Sequence, residues 1–208
     1  MKRIICAVLA VLMLAGCAYA EETGLEMWQR EGGWTTLAKA LTGDGLKEAW
    51  EHGAEVFAQS LGMPSMNVET LQGMMLQGFN LESGIDGITV DGNRVTGSLE
   101  DGTEVFSHEY SLVETLQQAD VPGGAAVYVF QAAEEAGEYN YIALTEPEEA
   151  SFSGIEFMSF NMVHTATDYM KMFGGALIPC TMVATDTDAE ALQAWIDRLF
   201  AEPIVIAQ

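Results

Sequence analysis

The residues best placed to do chemistry lie in one short apolar run, Ile155-Glu156-Phe157-Met158-Ser159-Phe160-Asn161-Met162-Val163-His164. In a β-strand, side chains two apart share a face, so Glu156, Met158, Phe160, Met162 and His164 would project together if no bulge intervenes. One carboxylate, two thioethers and one imidazole form a metal-binding vocabulary. Glu156 and His164 would hold zinc if His108 or a second acid joined them, whereas Met158 and Met162 suit Cu(I), because soft thioethers prefer soft ions. The competing reading is that Met and Phe fill an interior while Glu156 hydrogen-bonds a Tyr or Arg94 at its edge. Only two other histidines exist, His108 and His52, and His52 lies on a helical segment between Glu51 and Glu55, which reads as surface.

Other chemistry is sparse. Cys180, in Leu177-Ile178-Pro179-Cys180, has the apolar surroundings of a buried, inert thiol. Asp186-Thr187-Asp188-Ala189-Glu190 lacks the glycine and distal glutamate of a calcium loop and reads as a helix cap. The acidic stretches Glu134-Glu135 and Glu146-Pro147-Glu148-Glu149 could attract a divalent ion, but the reading preferred for them is solvated loop. There is no G-x-S-x-G, P-loop, H-E-x-x-H, CxxC or dinucleotide glycine fingerprint, so no catalytic residue is assigned and a non-enzyme is expected.

The chain that must position these residues has 208 residues, 49% of them hydrophobic and 19% charged, enough apolar material for one folded domain. Its 31 Asp and Glu against 8 Lys and Arg give a net charge of −23, which argues against nucleic acid and anionic lipid as partners. Lys2-Arg3, the apolar stretch Ile4 to Leu14 and then Leu14-Ala15-Gly16-Cys17 read as a bacterial lipoprotein signal, with Cys17 as lipid acceptor. Cleavage after Ala18-Tyr19-Ala20 is the alternative, and both readings export the chain. The expected division is a signal peptide over 1–16, a tether over 17–27 and one domain over 28–208. The expected location is the periplasmic or extracellular face of a bacterial cell membrane, attached by lipid alone, with the protein a monomer. After loss of Cys6 and lipidation of Cys17, Cys180 has no cysteine left to pair with.

Apolar spacings of three and four predict helices between Trp28 and Phe79: Trp34, Leu37, Ala38 and Leu41 in one, and Ala54, Phe57, Ala58 and Leu61 in the next. A third, with Asn67 as N-cap, carries Val68, Leu71, Met75 and Phe79. After Gly84 the period becomes two. Ile88–Val90 and Val95–Leu99 flank Asp91-Gly92-Asn93 as a hairpin, and Asp101-Gly102 turns into Val105–Leu112. Further strands are expected over Ala126–Gln131, Tyr139–Leu144, Ile155–Val163 and Ala176–Ala184. A final helix over Asp188–Ala201 is expected, with Thr187 and Glu190 as a capping box. The fold class is α+β, mainly β: an antiparallel sheet curling into a small barrel, preceded by helices and closed by one.

This order of pieces resembles the ZinT (YodA) family of periplasmic zinc-recruiting proteins. The resemblance is carried by Met27-Trp28-Gln29-Arg30-Glu31-Gly32-Gly33-Trp34, by Gly78-Phe79-Asn80-Leu81-Glu82-Ser83-Gly84-Ile85-Asp86-Gly87-Ile88, and by Val127-Tyr128-Val129-Phe130, Tyr141-Ile142-Ala143-Leu144 and Phe157-Met158-Ser159-Phe160 in the same order. It implies a lipocalin-like (calycin) barrel that binds zinc through histidines at its mouth. The family's His-aromatic-His strand falls on Glu156-Phe157-Met158 and its earlier histidine near Pro147, while its disulfide cysteines fall at about Ser107 and Ala132. The expectation is therefore a module for a divalent metal ion, zinc, with an eroded site, in which Glu156, His164 and His108 are the candidate ligands. The alternative is a metal-free barrel that carries a small apolar ligand or docks a protein.

Overall fold

A computed structural model describes residues 24–61, 66–76, 84–117, 125–149, 154–165, 168 and 180–201. After a 3-10 turn at Glu26–Trp28, the chain forms β1 (Trp34–Thr36), α1 (Leu37–Ala40), α2 (Lys47–Leu61), α3 (Val68–Leu76), β2 (Gly87–Asp91), β3 (Arg94–Ser98) and β4 (Glu104–Leu116). It continues through β5 (Val127–Ala132), β6 (Tyr141–Thr145), β7 (Glu148–Glu149), β8 (Glu156–Asn161), β9 (Cys180–Ala184) and α4 (Ala189–Leu199). Parts of the expected strand over Ala176–Ala184 and the Cys17 anchor lie outside the described residues.

Each described strand pairing is antiparallel, and β6 pairs with β8 as well as with β5. That extra pairing closes β1–β6, β8 and β9 into a ring of eight strands. β7 lies along β8 on the side that β6 occupies further up, with Glu146 and Pro147 interrupting the run, as a residue without an N–H interrupts a ladder. The expected lipocalin-like barrel is therefore the fold that forms.

Alternation sorts the side chains. Along β8, Met158 and Phe160 belong to the barrel core, whereas Phe157 packs outward against the helices. On β4, Phe106 and Tyr110 point inward, and Gly97 on β3 leaves room for the Phe106 ring, which a Cβ there would strike. A second core joins α2 and α4 to the barrel wall through Trp50, Phe57, Val183, Trp195 and Ile196. Gly53 brings the two helices together, since a Cβ would lie 2.6 Å from the Phe200 ring.

Both ends of the barrel are covered, each by a different piece of chain. The first gathers the β2–β3 turn, the start of β8 and the end of β9, and the segment from Leu25 to Trp34 straps it shut. Trp28 Nε1 donates to the Thr145 carbonyl at 2.8 Å, Trp34 Nε1 to the Trp28 carbonyl at 2.9 Å, and Gln29 Nε2 to the Gly92 carbonyl at 3.1 Å. Leu25, just before the 3-10 turn, is fully buried in this core. The opposite end is covered by the β5–β6 connection, where the Tyr139 ring stacks on Phe106 at 4.2 Å and Tyr110 Oη donates to the Tyr139 carbonyl at 2.7 Å.

Two local expectations are corrected. Trp34 lies in a strand, not a helix. A three-residue strand shows no periodicity of its own and is fixed by pairing with β2 on one side and β9 on the other. The final helix is capped by Asp188, whose Oδ1 accepts from Glu190 N at 2.9 Å, rather than by a Thr187–Glu190 box; Thr187 Oγ1 instead donates to the Ala184 carbonyl. Asn67 caps α3 as expected, accepting from Thr70 N at 2.8 Å.

Candidate functional site

The inward row of β8 begins with Glu156 at the strapped end of the barrel. Its carboxylate does not face Arg94, which instead reaches Glu109 on the outer wall at 3.1 Å. Its partner is Arg30, whose Nη1 approaches Glu156 Oε2 to 2.8 Å. Among the described residues Nη1 has no hydrogen-bond partner and almost no solvent contact, so the pair is held as an ion pair of opposite charges. The guanidinium also lies 4.5 Å from the centre of the Trp34 ring, a cation–π contact. Glu149 on β7 is the cross-strand partner of Glu156, which places a second carboxylate on the same side.

His164 does not continue the row. β8 ends at Asn161, the chain bends, and His164 is exposed with its ring 5.3 Å from Tyr141, which packs on the outer face of the sheet. The alternation expected to carry Glu156 and His164 to one face is thus broken between them. Met158 is a core residue, 2% exposed, opposite Met182 on β9, and Met162 packs at the edge of the same core.

His108 points inward from β4, stacked on Phe106 at 6.3 Å, toward the end covered by the β5–β6 connection. Its Nδ1 is buried without a hydrogen-bond partner and lies 3.7 Å from Glu134 Oε1, too far for a hydrogen bond. Glu134 is 76% exposed on that connection and free to swing toward the imidazole. Glu156, His164 and His108 are therefore not brought together. Among the described residues no three His, Cys, Asp or Glu side chains converge as a metal-holding group. His52 is exposed on α2, and Cys180 is buried in the barrel core.

Zinc implied at the Glu156–Met158 strand meets a poor donor set: one carboxylate already neutralised by a guanidinium, and a thioether sunk in the core. The His108–Glu134 pair fits better, because an orphaned buried nitrogen beside an exposed carboxylate offers two of the donors zinc uses. Sequence reasoning missed Arg30 and set Glu134 aside as part of a solvated acidic stretch. For Arg30 a signal existed, a rare basic residue set between Trp28 and Trp34; for Glu134 the signal was the acidic pair itself, with nothing local to tie it to His108.

Two open clefts, of about 450 and 470 Å³, lie outside the barrel. One is lined by Thr36, Lys39, Leu76, Asp86 and Glu100, the other by Ala54, Glu55, Ala58 and Val68 between α2 and α3.

Together these features define a closed, eight-stranded, lipocalin-like antiparallel barrel with helices on one flank. No family model matches the sequence, and no curated protein matches it. Among solved structures, the chain is similar to Zn(II)-bound AdcA from Streptococcus pneumoniae, at 14% identity and a TM-score of 0.46, over 81% of this chain and 34% of that one. It is also similar to the Zn(II)-bound ZinT-like domain of AdcA, at 13% identity and a TM-score of 0.45, over 80% of this chain and 85% of that domain. The chain spans about a third of the longer AdcA chain.

Proposed function

We propose that this protein is an exported, lipid-anchored, monomeric binding module, not an enzyme, that takes up a divalent metal ion of the zinc class at the end of its barrel covered by the β5–β6 connection. The observation that carries the reading is His108 Nδ1, buried, without a partner, and 3.7 Å from Glu134 Oε1. A buried imidazole nitrogen left unsatisfied costs free energy that a cation can recover. Neutral imidazole and carboxylate are both accepted zinc donors. Two protein ligands leave coordination positions open, which suits capture and hand-over better than permanent retention. His164 and Glu156 take no part in this arrangement, and zinc is cargo rather than a resident cofactor.

The test is a zinc titration of chelator-stripped protein, followed by thermal midpoint and by the His108 ring resonances. Micromolar zinc should raise the midpoint and shift those resonances. His108→Gln should weaken binding by at least about tenfold, or ~1.4 kcal/mol, and Glu134→Gln should weaken it by a smaller factor. Uptake that is indifferent to His108→Gln sinks the assignment. Absence of any uptake favours the second reading, a metal-free interaction domain, which draws support from the aromatic filling of the barrel by Trp28, Trp34, Phe106, Tyr139 and Phe160.

A further inference from the structure

The disagreement between the zinc implied at the Glu156 strand and the residues found there has a physical form. Arg30 is among the few basic residues in a strongly acidic chain, yet it sits at the barrel end with its Nη1 wholly out of solvent. Three contacts hold it there: Glu156 at 2.8 Å, the Trp34 ring at 4.5 Å, and a strap tied to the barrel on either side by Gln29 and Trp34. A guanidinium is a weakly hydrated, permanently charged cation that stacks on aromatic rings, so it can hold this position where a lysine ammonium would be drawn back to water. Glu149 lies across from Glu156 in the β7–β8 register and projects on the same side. Among the described residues, Arg30 is the one cation paired with Glu156, so without it two carboxylates would share one barrel rim with no described counter-charge beside them.

We infer that Arg30 is a resident cation: its guanidinium takes the place of a metal ion beside Glu156, closes this end of the barrel to metal, and masks a two-carboxylate divalent-cation site formed by Glu149 and Glu156. The inference does not depend on zinc at His108, because the two places lie at opposite ends of the barrel and differ in donor chemistry. Calcium separates them, being a hard ion that takes oxygen ligands and avoids imidazole.

The experiment compares thermal midpoints of the purified full-length protein in calcium chloride and in sodium chloride of equal ionic strength. Wild type should show no difference between the two salts. Arg30→Gln should melt lower in sodium chloride and recover at least half of that loss in millimolar calcium, and the Arg30→Gln/Glu156→Gln double variant should not respond. Arg30→Lys, which keeps the charge and is the safer variant for folding, should show an intermediate response. Wild type responding to calcium as strongly as Arg30→Gln overturns the inference. So does an equal calcium response in Arg30→Gln and the double variant, or the absence of any response in both Arg30→Gln and Arg30→Lys.

Discussion

At the scale of single residues, the barrel end under the β5–β6 connection is governed by buried polar groups, and Tyr110 shows how. Burial first, and the neighbouring Tyr139 second, push the Tyr110 phenol well above its ordinary value; burial and Glu138 push Tyr139 in the same direction. The folded state therefore favours the protonated phenol. Its contribution to stability is fully present below the unfolded value of about 10 and is lost as pH rises toward the folded one. Tyr110→Phe removes the 2.7 Å bond to the Tyr139 carbonyl and should cost about 1–2 kcal/mol at neutral pH. The same variant should lose less stability than wild type above about pH 10, as measured by urea unfolding across that range. Equal alkaline losses in both proteins would remove Tyr110 as the cause. None of this was legible in the sequence, because a tyrosine's burial depends on a connection that folds back over it from the far side of β5. The same holds for the candidate sites. Glu156 was singled out by type and strand position, but Arg30 meets it only through the strap, and His108 meets Glu134 only through a loop.

Among elements, the readable features were those written in local chemistry. Asn67 before an apolar run and Asp91-Gly92-Asn93 between alternating segments each specify their structure within a few neighbours, and each forms as read; the expected final helix forms too, over Ala189–Leu199. Elements whose state is set by partners were misread or missed: β1 by its two flanking strands, β7 by a two-residue pairing, and the end of β8, which decides where His164 goes. The α4 cap is a case where two local candidates compete. Thr187 and Asp188 can both accept from the first turn, and the chain uses Asp188, leaving the Thr187 hydroxyl to terminate β9 at Ala184. Asp188→Ala should therefore cost about 1 kcal/mol and Asp188→Asn only a few tenths, read from denaturant midpoints. An equal cost for Asp188→Asn and Asp188→Ala, both of which remove the carboxylate, would show that charge near the helix start, not the capping bond, is what counts.

For the whole molecule, the question is whether the excess of 31 acids over 8 bases helps or harms the fold. Two effects oppose each other. Added salt weakens local ion pairs such as Lys47–Glu51 and Arg94–Glu109, which are exposed and worth little. It also screens the repulsion among the excess carboxylates spread over the barrel and helices, an effect that acts across the molecule. The screening length falls from about 30 Å at 0.01 M to about 10 Å at 0.1 M ionic strength, from roughly a domain diameter to the spacing of neighbouring side chains. With so few cations to lose, repulsion should dominate, and the thermal midpoint should rise across that range. The rise should be about 2–4 °C for each kcal/mol of repulsion removed. A flat or falling midpoint would mean that the exposed ion pairs outweigh the net charge. The rise also sets the baseline for any metal measurement on this protein. A divalent salt stabilises so acidic a chain by screening alone, and only the excess over sodium chloride at matched ionic strength, removed by substitution at His108 or revealed by substitution at Arg30, reports a site.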